Sequence, residues 1–115
     1  MSTTGKLTIT PELLARLGIT ERQLLNFITK WKITELALFG SILRDDFGPK
    51  SDVDFLALFA PESQWTLFDK ERLREELSKL IHRDIDMVSK RAIERSRNPY
   101  RRESILTTSR VIYVS

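Results

Sequence analysis

The sequence predicts a single α/β domain of the α+β type, in which helices flank a mixed sheet. Its 115 residues are about what one hydrophobic core needs. Its composition, 41% apolar and 30% charged with four Gly and four Pro, is that of a globular protein and excludes disordered or low-complexity chains. Segments with helical and strand patterns alternate along the chain, and neither a repeat nor a Gly- or Ser-rich linker divides them.

Two helix starts lie close together near the N-terminus. Thr10 fits an N-cap, Pro11 fits the first helical position, and Gly18 is placed to end this short helix. The segment Thr20–Gln23 fits a capping box, in which two side chains bond the free backbone N–H groups of a first turn. It predicts a second helix over about Glu21–Trp31, with apolar residues at helical spacing on one face.

Two short apolar segments predict neighbouring buried strands in the centre of the chain. Ile33–Phe39 is closed by Gly40, and Asp52–Phe59 has a similar composition. Between them, Ser41–Phe47 has the length of a short helix, and the segment 48–50 supplies the Gly and Pro that end it. We therefore expect two strands joined by a compact connection.

The second half of the chain continues the alternation. Trp65–Ile81 carries Leu and Ile at helical spacing opposite a charged face, which predicts a helix packed on a sheet. Asp84–Val88 is a candidate third strand, Asn98 precedes Pro99 as an N-cap does, and Val111–Val114 predicts a short closing strand. Core packing is the expected role of most aromatic residues in the apolar runs, namely Trp31, Trp65, Phe39, Phe55, Phe59 and Phe68.

We expect one compact unit, with residues 1–32 as an N-terminal helical extension and residues 33–115 as the main domain. The apolar runs are far shorter than the roughly 20 residues that span a bilayer, and the N-terminus lacks a signal-peptide pattern. These observations predict a cytoplasmic protein without a membrane partner. The absence of Cys excludes disulfides and zinc fingers.

The net charge of +3, from 19 basic and 16 acidic residues, is too small to indicate a nucleic-acid partner. Basic residues concentrate between Lys90 and Arg110, where seven of them accompany two acidic residues. A solvated face, a contact with an acidic partner and a contact with a triphosphate all remain open for this segment.

Asp52 and Asp54 are the residues that most strongly indicate chemistry. Two positions apart on a predicted strand, their carboxylates would project from one face of the sheet. Asp is depleted in strands, and a pair of charges in an apolar run needs a compensating partner. A divalent cation supplies one, and hard carboxylate oxygens suit Mg²⁺ or Mn²⁺.

Gly40 and Ser41 stand where the first predicted strand meets the next turn. Free backbone N–H groups at such a position bind phosphate oxygens, and glycine allows the phosphate to approach closely. The Ser41 hydroxyl can add a hydrogen bond to a terminal phosphate or serve as a helix N-cap.

The order Gly40-Ser41, ten residues, Asp52-x-Asp54 resembles the GS-x10-DxD signature of the DNA polymerase beta nucleotidyltransferase superfamily. Within it, LFGSILRDDFGPKSDVDFLALF is similar to minimal nucleotidyltransferases, which also carry an arginine where Arg44 stands. The resemblance covers about Ile33–Ser115. Asp45 departs from the pattern, because family members often have glycine there.

The segment IDMVS resembles the family's strand with a third carboxylate, which assigns that role to Asp86. Asp84 competes for it, since it lies two residues earlier on the same predicted face. The apolar-Asp-apolar-Val pattern of the family favours Asp86.

This resemblance implies a polymerase-beta-like fold and the transfer of AMP from ATP to a hydroxyl, with release of pyrophosphate. It implies two Mg²⁺ ions, with Mn²⁺ as an alternative, and it assigns metal binding and catalysis to Asp52, Asp54 and Asp86. Nucleotide binding falls to Gly40, Ser41 and Arg44. Minimal nucleotidyltransferases are often paired with HEPN-domain ribonuclease toxins, so it also implies such a toxin as partner, with a tyrosine as the AMP acceptor.

Two other functions compete with this one. A non-catalytic antitoxin would mask its toxin by binding alone. Separately, the alternative to a metal site at Asp52 and Asp54 is a solvated strand end with Lys50 and Arg44 as ion partners. ELLARLGITERQLLNFI resembles a DNA-binding helix-turn-helix with Gly18 at its turn. Against DNA binding, apolar residues crowd the second helix and leave few side chains to read bases.

Overall fold

The computed structural model describes residues 5–115 as a five-stranded sheet with helices on both faces. The strands are β1 (Lys6–Leu7), β2 (Ile33–Phe39), β3 (Val53–Phe59), β4 (Ile85–Ser89) and β5 (Arg110–Val114). The helices are α1 (Pro11–Leu17), α2 (Glu21–Lys30), α3 (Leu67–Ile81), α4 (Lys90–Glu94) and α5 (Pro99–Thr108), and a 3-10 turn occupies Gly40–Leu43.

The sheet has the strand order β1-β5-β2-β3-β4. Strands β3 and β4 are parallel, and α3 connects them, whereas the other neighbouring pairs are antiparallel. The predicted mixed sheet is therefore confirmed. Because β2 runs opposite to β3 and β4, the end of β2 and the starts of β3 and β4 meet at one edge of the sheet.

The two faces of the sheet bury separate apolar clusters. Helices α1, α2 and α3 cover one face, and their contribution to that core includes Leu17, Leu24, Phe27, Leu73 and Leu77. On the other face, Ile93 of α4 and Ile105 of α5 pack against Ala37 and Leu56. Side chains alternate along a strand, so Asp54 points to the same side as Leu56, where α4 and α5 lie.

The capping residues expected from the sequence begin the N-terminal helices. Thr10 accepts a hydrogen bond from the Leu13 N–H, and Gly18 ends α1 in the left-handed region at φ +72°. Thr20 and Gln23 form both bonds of the capping box at the start of α2. Local hydrogen bonding thus sets these boundaries.

Some boundaries differ from the predictions. Asp52 lies before β3, because the ladder begins where the Val53 N–H donates to the Asp84 carbonyl at 3.0 Å. The helix predicted over Ser41–Phe47 is only the 3-10 turn, and α3 begins at Leu67. Strand β1 and helix α4 were not predicted, since two and five residues are too few to show a period.

The aromatic residues divide between core and surface. Trp31 and Phe55 are buried, while Phe39, Phe59 and Trp65 are half-buried against the two clusters. Phe68 is 83% exposed, so its predicted place in the core is wrong. It stands in the first turn of α3, beyond the stripe that meets the sheet. Among residues 5–115, no helix is both long and apolar enough to cross a bilayer.

Candidate active site

The carboxylates of Asp54 and Asp86 stand side by side at the edge where β2 ends. Asp54 pairs with Phe39 of β2 on one side and with Asp86 of β4 on the other. Neighbouring strands lie about 4.8 Å apart, and paired residues present their side chains to the same face. The strand register therefore brings together two of the three predicted acidic residues.

The electrostatics of Asp54 reflect this crowding. Burial raises the pKa of its carboxyl above the ordinary value of 3.8, the Asp86 carboxylate raises it further, and Asp52 adds a smaller effect in the same direction. Arg44 opposes the shift with the weakest influence. Partial burial and two neighbouring negative charges thus disfavour the ionised form of Asp54.

Asp52 occupies a different local setting from Asp54. It is exposed and lies one residue before β3, so it is not on the strand that was expected to carry both carboxylates. Its effect on the pKa of Asp54 nevertheless places its charge near the pair. Asp84 is also exposed and precedes β4, and the register aligns Asp86, rather than Asp84, with Asp54.

A divalent cation would suit these groups in charge and in chemistry. Its two positive charges would relieve the repulsion that raises the pKa of Asp54, and carboxylate oxygens are the donors that Mg²⁺ prefers. Within residues 5–115, however, no three Asp, Glu, His or Cys side chains are already gathered as a metal-binding group. The three-carboxylate metal site therefore stays a prediction.

Gly40 leaves open the space beside Asp54. Its φ of +79° lies in the left-handed region, which residues other than glycine rarely adopt. A Cβ atom built at this position would lie 2.2 Å from Oδ2 of Asp54, far inside contact distance. The backbone conformation therefore favours glycine here, and any larger residue would displace the Asp54 carboxylate.

Ser41 lies in the 3-10 turn and is not its N-cap. Phe39 holds the cap position, and no side chain caps the turn. The Ser41 hydroxyl is 3.5 Å from the Asp52 carbonyl, a long contact that leaves it able to bond another acceptor. The first N–H groups of a helical turn lack partners within that turn, so this one presents donors beside Asp54.

Arg44 follows the turn and is exposed on the loop that leads to β3. Its Nε donates to Oδ1 of Asp46 at 3.2 Å, and both side chains are largely in solvent. Exposed pairs of this kind contribute little, so the guanidinium can be recruited by a ligand. Its influence on the pKa of Asp54 places its charge near the carboxylates.

A cavity of about 470 Å³ lies beside Asp52. Lys50, His82 and Arg83 bring basic groups to its lining, and Asp84 contributes a further carboxylate. His82 ends α3 in the left-handed conformation at φ 63°, which agrees with a structural role for this residue. Sequence reasoning missed Arg83, because a single Arg between a helix and a strand carries no distinguishing pattern.

The basic segment Lys90–Arg110 divides among helix α4, helix α5 and the start of β5. Lys90 follows β4 at the opposite edge of the sheet, where its Nζ is 2.6 Å from Oε2 of Glu35. Arg102 donates to the carbonyl of Ser96, within its own part of the chain. These two cations therefore have structural partners away from Asp54.

Helix α2, which would have to read bases in a helix-turn-helix, is packed into the core. Leu24, Phe27 and Ile28 are each at most 2% exposed. The amide oxygen of Gln23 accepts the Thr20 N–H in the capping box. The apolar face of α2 is therefore occupied by the core and Gln23 by the cap, whereas Arg22 and Asn26 are exposed, and the fold adds no support for this alternative.

Comparison with known proteins finds similarity over most of the chain. Residues 21–112 match the family described as "Nucleotidyltransferase domain". One curated relative, "Putative protein adenylyltransferase MJ0128" of Methanocaldococcus jannaschii, is 37% identical over 66% of this chain and 72% of its own. The family match includes the segment that carries the acidic pair and the glycine turn.

Two solved structures share the fold. One, described as a "putative minimal nucleotidyltransferase", has 28% identity and a TM-score of 0.62, with 85% of this chain and 90% of that chain covered. The other is an MNT antitoxin in complex with a tri-AMPylated HEPN toxin from Shewanella oneidensis. It has 16% identity and a TM-score of 0.58 over 90% of this chain and 73% of that chain, a likeness of fold alone.

Proposed function

This chain belongs to the nucleotidyltransferase domain family, and from that premise we propose that it transfers AMP from ATP to a hydroxyl group of a protein. In this reaction the hydroxyl oxygen bonds to the α-phosphorus, the bond between the α-phosphorus and its bridging oxygen breaks, and pyrophosphate leaves. The hydroxyl proton passes to solvent or to a nearby carboxylate. The kinship with the M. jannaschii relative supports a protein acceptor.

The main support for the proposal is that Asp54 and Asp86 pair on neighbouring strands, next to the space that Gly40 leaves open. Burial and the neighbouring Asp86 carboxylate raise the pKa of Asp54, and a bound cation would offset this repulsion between the two carboxylates. The adjoining turn offers N–H donors for anionic oxygens, and its lack of a side-chain cap leaves them available. Cation and phosphate sites are thus contiguous, as transfer from a nucleoside triphosphate requires.

In this proposal each site residue has a separate role. Asp54 and Asp86, joined by Asp52, hold Mg²⁺, with Mn²⁺ as an alternative. When bound, two such ions neutralise the triphosphate and lower the pKa of the attacking hydroxyl. Gly40 and Ser41 bind phosphate oxygens through the turn, Arg44 adds a cationic contact, and Asp86 is the candidate acceptor of the hydroxyl proton. The single turn is too short for a large helix dipole, so direct hydrogen bonds account for phosphate binding.

The finer part of the proposal concerns the acceptor. We assign it to a tyrosine of a HEPN-domain toxin, which makes this chain the antitoxin of a toxin-antitoxin pair. The likeness to the fold of an MNT antitoxin bound to an AMPylated HEPN toxin supports this assignment. The site lies at an exposed edge of the sheet, and Asp52 and Asp86 are both exposed, which leaves room for a macromolecular acceptor.

A second candidate function is neutralisation of the toxin by binding alone. The observation that favours it is that, among residues 5–115, no metal-binding group is already gathered. A protein that binds its partner without turnover would not need these carboxylates to converge. The two candidates differ in whether AMP reaches the toxin.

The test is to incubate the protein with ATP labelled at the α-phosphate, Mg²⁺ and a HEPN protein encoded beside its gene, and to measure label on that protein. We expect transfer, and we expect Asp52→Asn combined with Asp54→Asn to abolish it. Glu62→Gln, an exposed change after β3 at the opposite edge, is the matched control. Transfer that survives the double substitution would refute the site. Neutralisation of the toxin without label would favour the binding function.

A further inference from the structure

The loop that joins the 3-10 turn to β3, residues 44–52, connects two parts of the proposed site. Arg44 stands at its start and Asp52 at its end. Few backbone N–H groups are bonded within it: Phe47 N–H reaches the Arg44 carbonyl at 3.5 Å, Ser51 N–H bonds to the Gly48 carbonyl at 3.1 Å, and Gly48 N–H bonds to Ser51 Oγ at 3.0 Å. A loop with so few internal bonds needs outside contacts to hold one conformation.

Arg83, from the connection between α3 and β4, holds the second half of this loop. Its Nη1 donates to the Gly48 carbonyl at 2.7 Å and to the Ser51 carbonyl at 2.9 Å. Its guanidinium also lies over the ring of Phe47, 4.2 Å from the centroid. Charge-assisted bonds to two carbonyls, together with a cation–π contact, fix the backbone immediately before Asp52.

Arg16, from α1, holds the beginning of the loop in the same way. Its Nη1 donates to the Ile42 carbonyl at 2.8 Å and to the Arg44 carbonyl at 2.7 Å. Its guanidinium lies 5.6 Å from the centroid of the Phe47 ring. The same aromatic ring is therefore in contact with both arginines, which approach it from distant parts of the chain.

We infer that Arg16 and Arg83 are positioning residues, which act with Phe47 as a clamp on the 44–52 loop and so present Arg44 to the nucleotide and Asp52 to its metal ions. The inference rests on the proposed function for the identity of the ligand, while the clamp itself rests on the contacts above. Neither arginine touches Asp54 or Asp86 in these contacts, so both act through the loop. Arginine suits the role because its planar group donates to two acceptors at once.

The test compares Arg16→Gln and Arg83→Gln with the wild-type protein in two measurements. The first is amide hydrogen exchange at Phe47, Gly48 and Ser51, whose N–H groups are bonded within the loop, relative to strands β2 and β3. The second is the dissociation constant for ATP with Mg²⁺. Each change removes two charge-assisted bonds, so we expect exchange in the loop to quicken by about tenfold and ATP to bind about tenfold more weakly. The rates of amide hydrogen exchange in β2 and β3 should change much less.

Arg22→Gln is the matched control, because Arg22 is exposed on α2 and has no contact with the loop. It should alter neither measurement. Arg83→Lys serves if Arg83→Gln does not fold. It keeps a cation with N–H donors near Phe47 but lacks the planar guanidinium, so its changes should be smaller and in the same direction.

Loop exchange that stays at the wild-type rate in both glutamine variants would overturn the clamp, whether or not the protein transfers AMP. Quicker loop exchange with unchanged ATP affinity would overturn the positioning role. Weaker ATP binding together with quicker loop exchange supports the inference even if no acceptor is labelled. The missing label would refute only the proposed AMP transfer. The clamp and the proposed AMP transfer can therefore be refuted independently of each other.

Discussion

Replacing Gly40 with alanine tests how the turn and the acidic pair depend on each other. The added Cβ would lie 2.2 Å from Oδ2 of Asp54, 3.2 Å from its Cγ and 3.5 Å from its Cβ. Only the end of the Asp54 side chain is in severe conflict. We therefore expect the carboxylate to rotate away from the turn, which separates it from the phosphate-binding groups while the strand stays in place.

Part of the stability that Gly40→Ala loses comes from backbone strain, and this part can be measured at a second glycine. An L-residue in the left-handed region costs about 1–2 kcal/mol. In a domain of this size that corresponds to a fall in Tm of about 4–8 °C. Gly18→Ala meets the same strain at φ +72°, but nothing lies within 4 Å of its added Cβ. Gly18→Ala should lower the Tm by this amount and leave AMP transfer intact, whereas Gly40→Ala should abolish transfer.

A double-mutant cycle isolates the contact with the carboxylate. In an Asp54→Ala background the nearest remaining atom is the Cβ at 3.5 Å, an ordinary van der Waals distance. Gly40→Ala should then cost only the backbone strain, as Gly18→Ala does. We expect a coupling of about 1 kcal/mol from chemical denaturation. If Gly40→Ala lowers the free energy of unfolding equally in both backgrounds, the proposed conflict between residue 40 and the Asp54 carboxylate is refuted.

Three further predictions concern stability. Asp54→Asn should raise the Tm of the metal-free protein at pH 7, because burial and two acidic neighbours raise the pKa of this carboxyl. The gain should shrink as the pH falls through that raised pKa, since the wild-type group is then neutral; a constant gain in melting scans would contradict it. Phe68→Ser, at an exposed site, should change the free energy of unfolding by less than about 0.5 kcal/mol, whereas Phe55→Ala in the core should cost about 3–5 kcal/mol in urea titrations. Thr66→Ala removes the cap of α3 and should cost about 1 kcal/mol, and an unchanged Tm would show that the cap is dispensable.

Local patterns were enough to predict the parts of the fold that local physics determines. Thr10 and Thr20 cap their helices because their hydroxyls reach N–H groups three residues ahead. The strand Ile33–Phe39 is observed with the predicted bounds, since a short apolar run closed by glycine has few other solutions. Gly40 and Asp54 come together because the antiparallel pairing of β2 with β3 aligns Phe39 with Asp54.

Other features depend on contacts that no local pattern contains. The two-residue β1 exists because Lys6 and Leu7 pair with β5, from the other end of the chain. Phe68 fits the apolar composition of a helix start, but the direction in which α3 meets the sheet leaves it in solvent. Asp52 falls outside β3 because the ladder starts with a bond from Val53 to the segment before β4. Tertiary structure decides each of these cases.

The difference between the acidic residues and the arginines of the site follows from what each contacts. The carboxylates of Asp52 and Asp54 would act on a ligand, so their identity and spacing form a readable pattern. Arg16 and Arg83 bond to backbone carbonyls of the 44–52 loop, and every residue type supplies a carbonyl. Nothing in the loop's side chains other than Phe47 therefore marks their partners. Residues that shape a site through the backbone become visible only once the fold brings distant segments together.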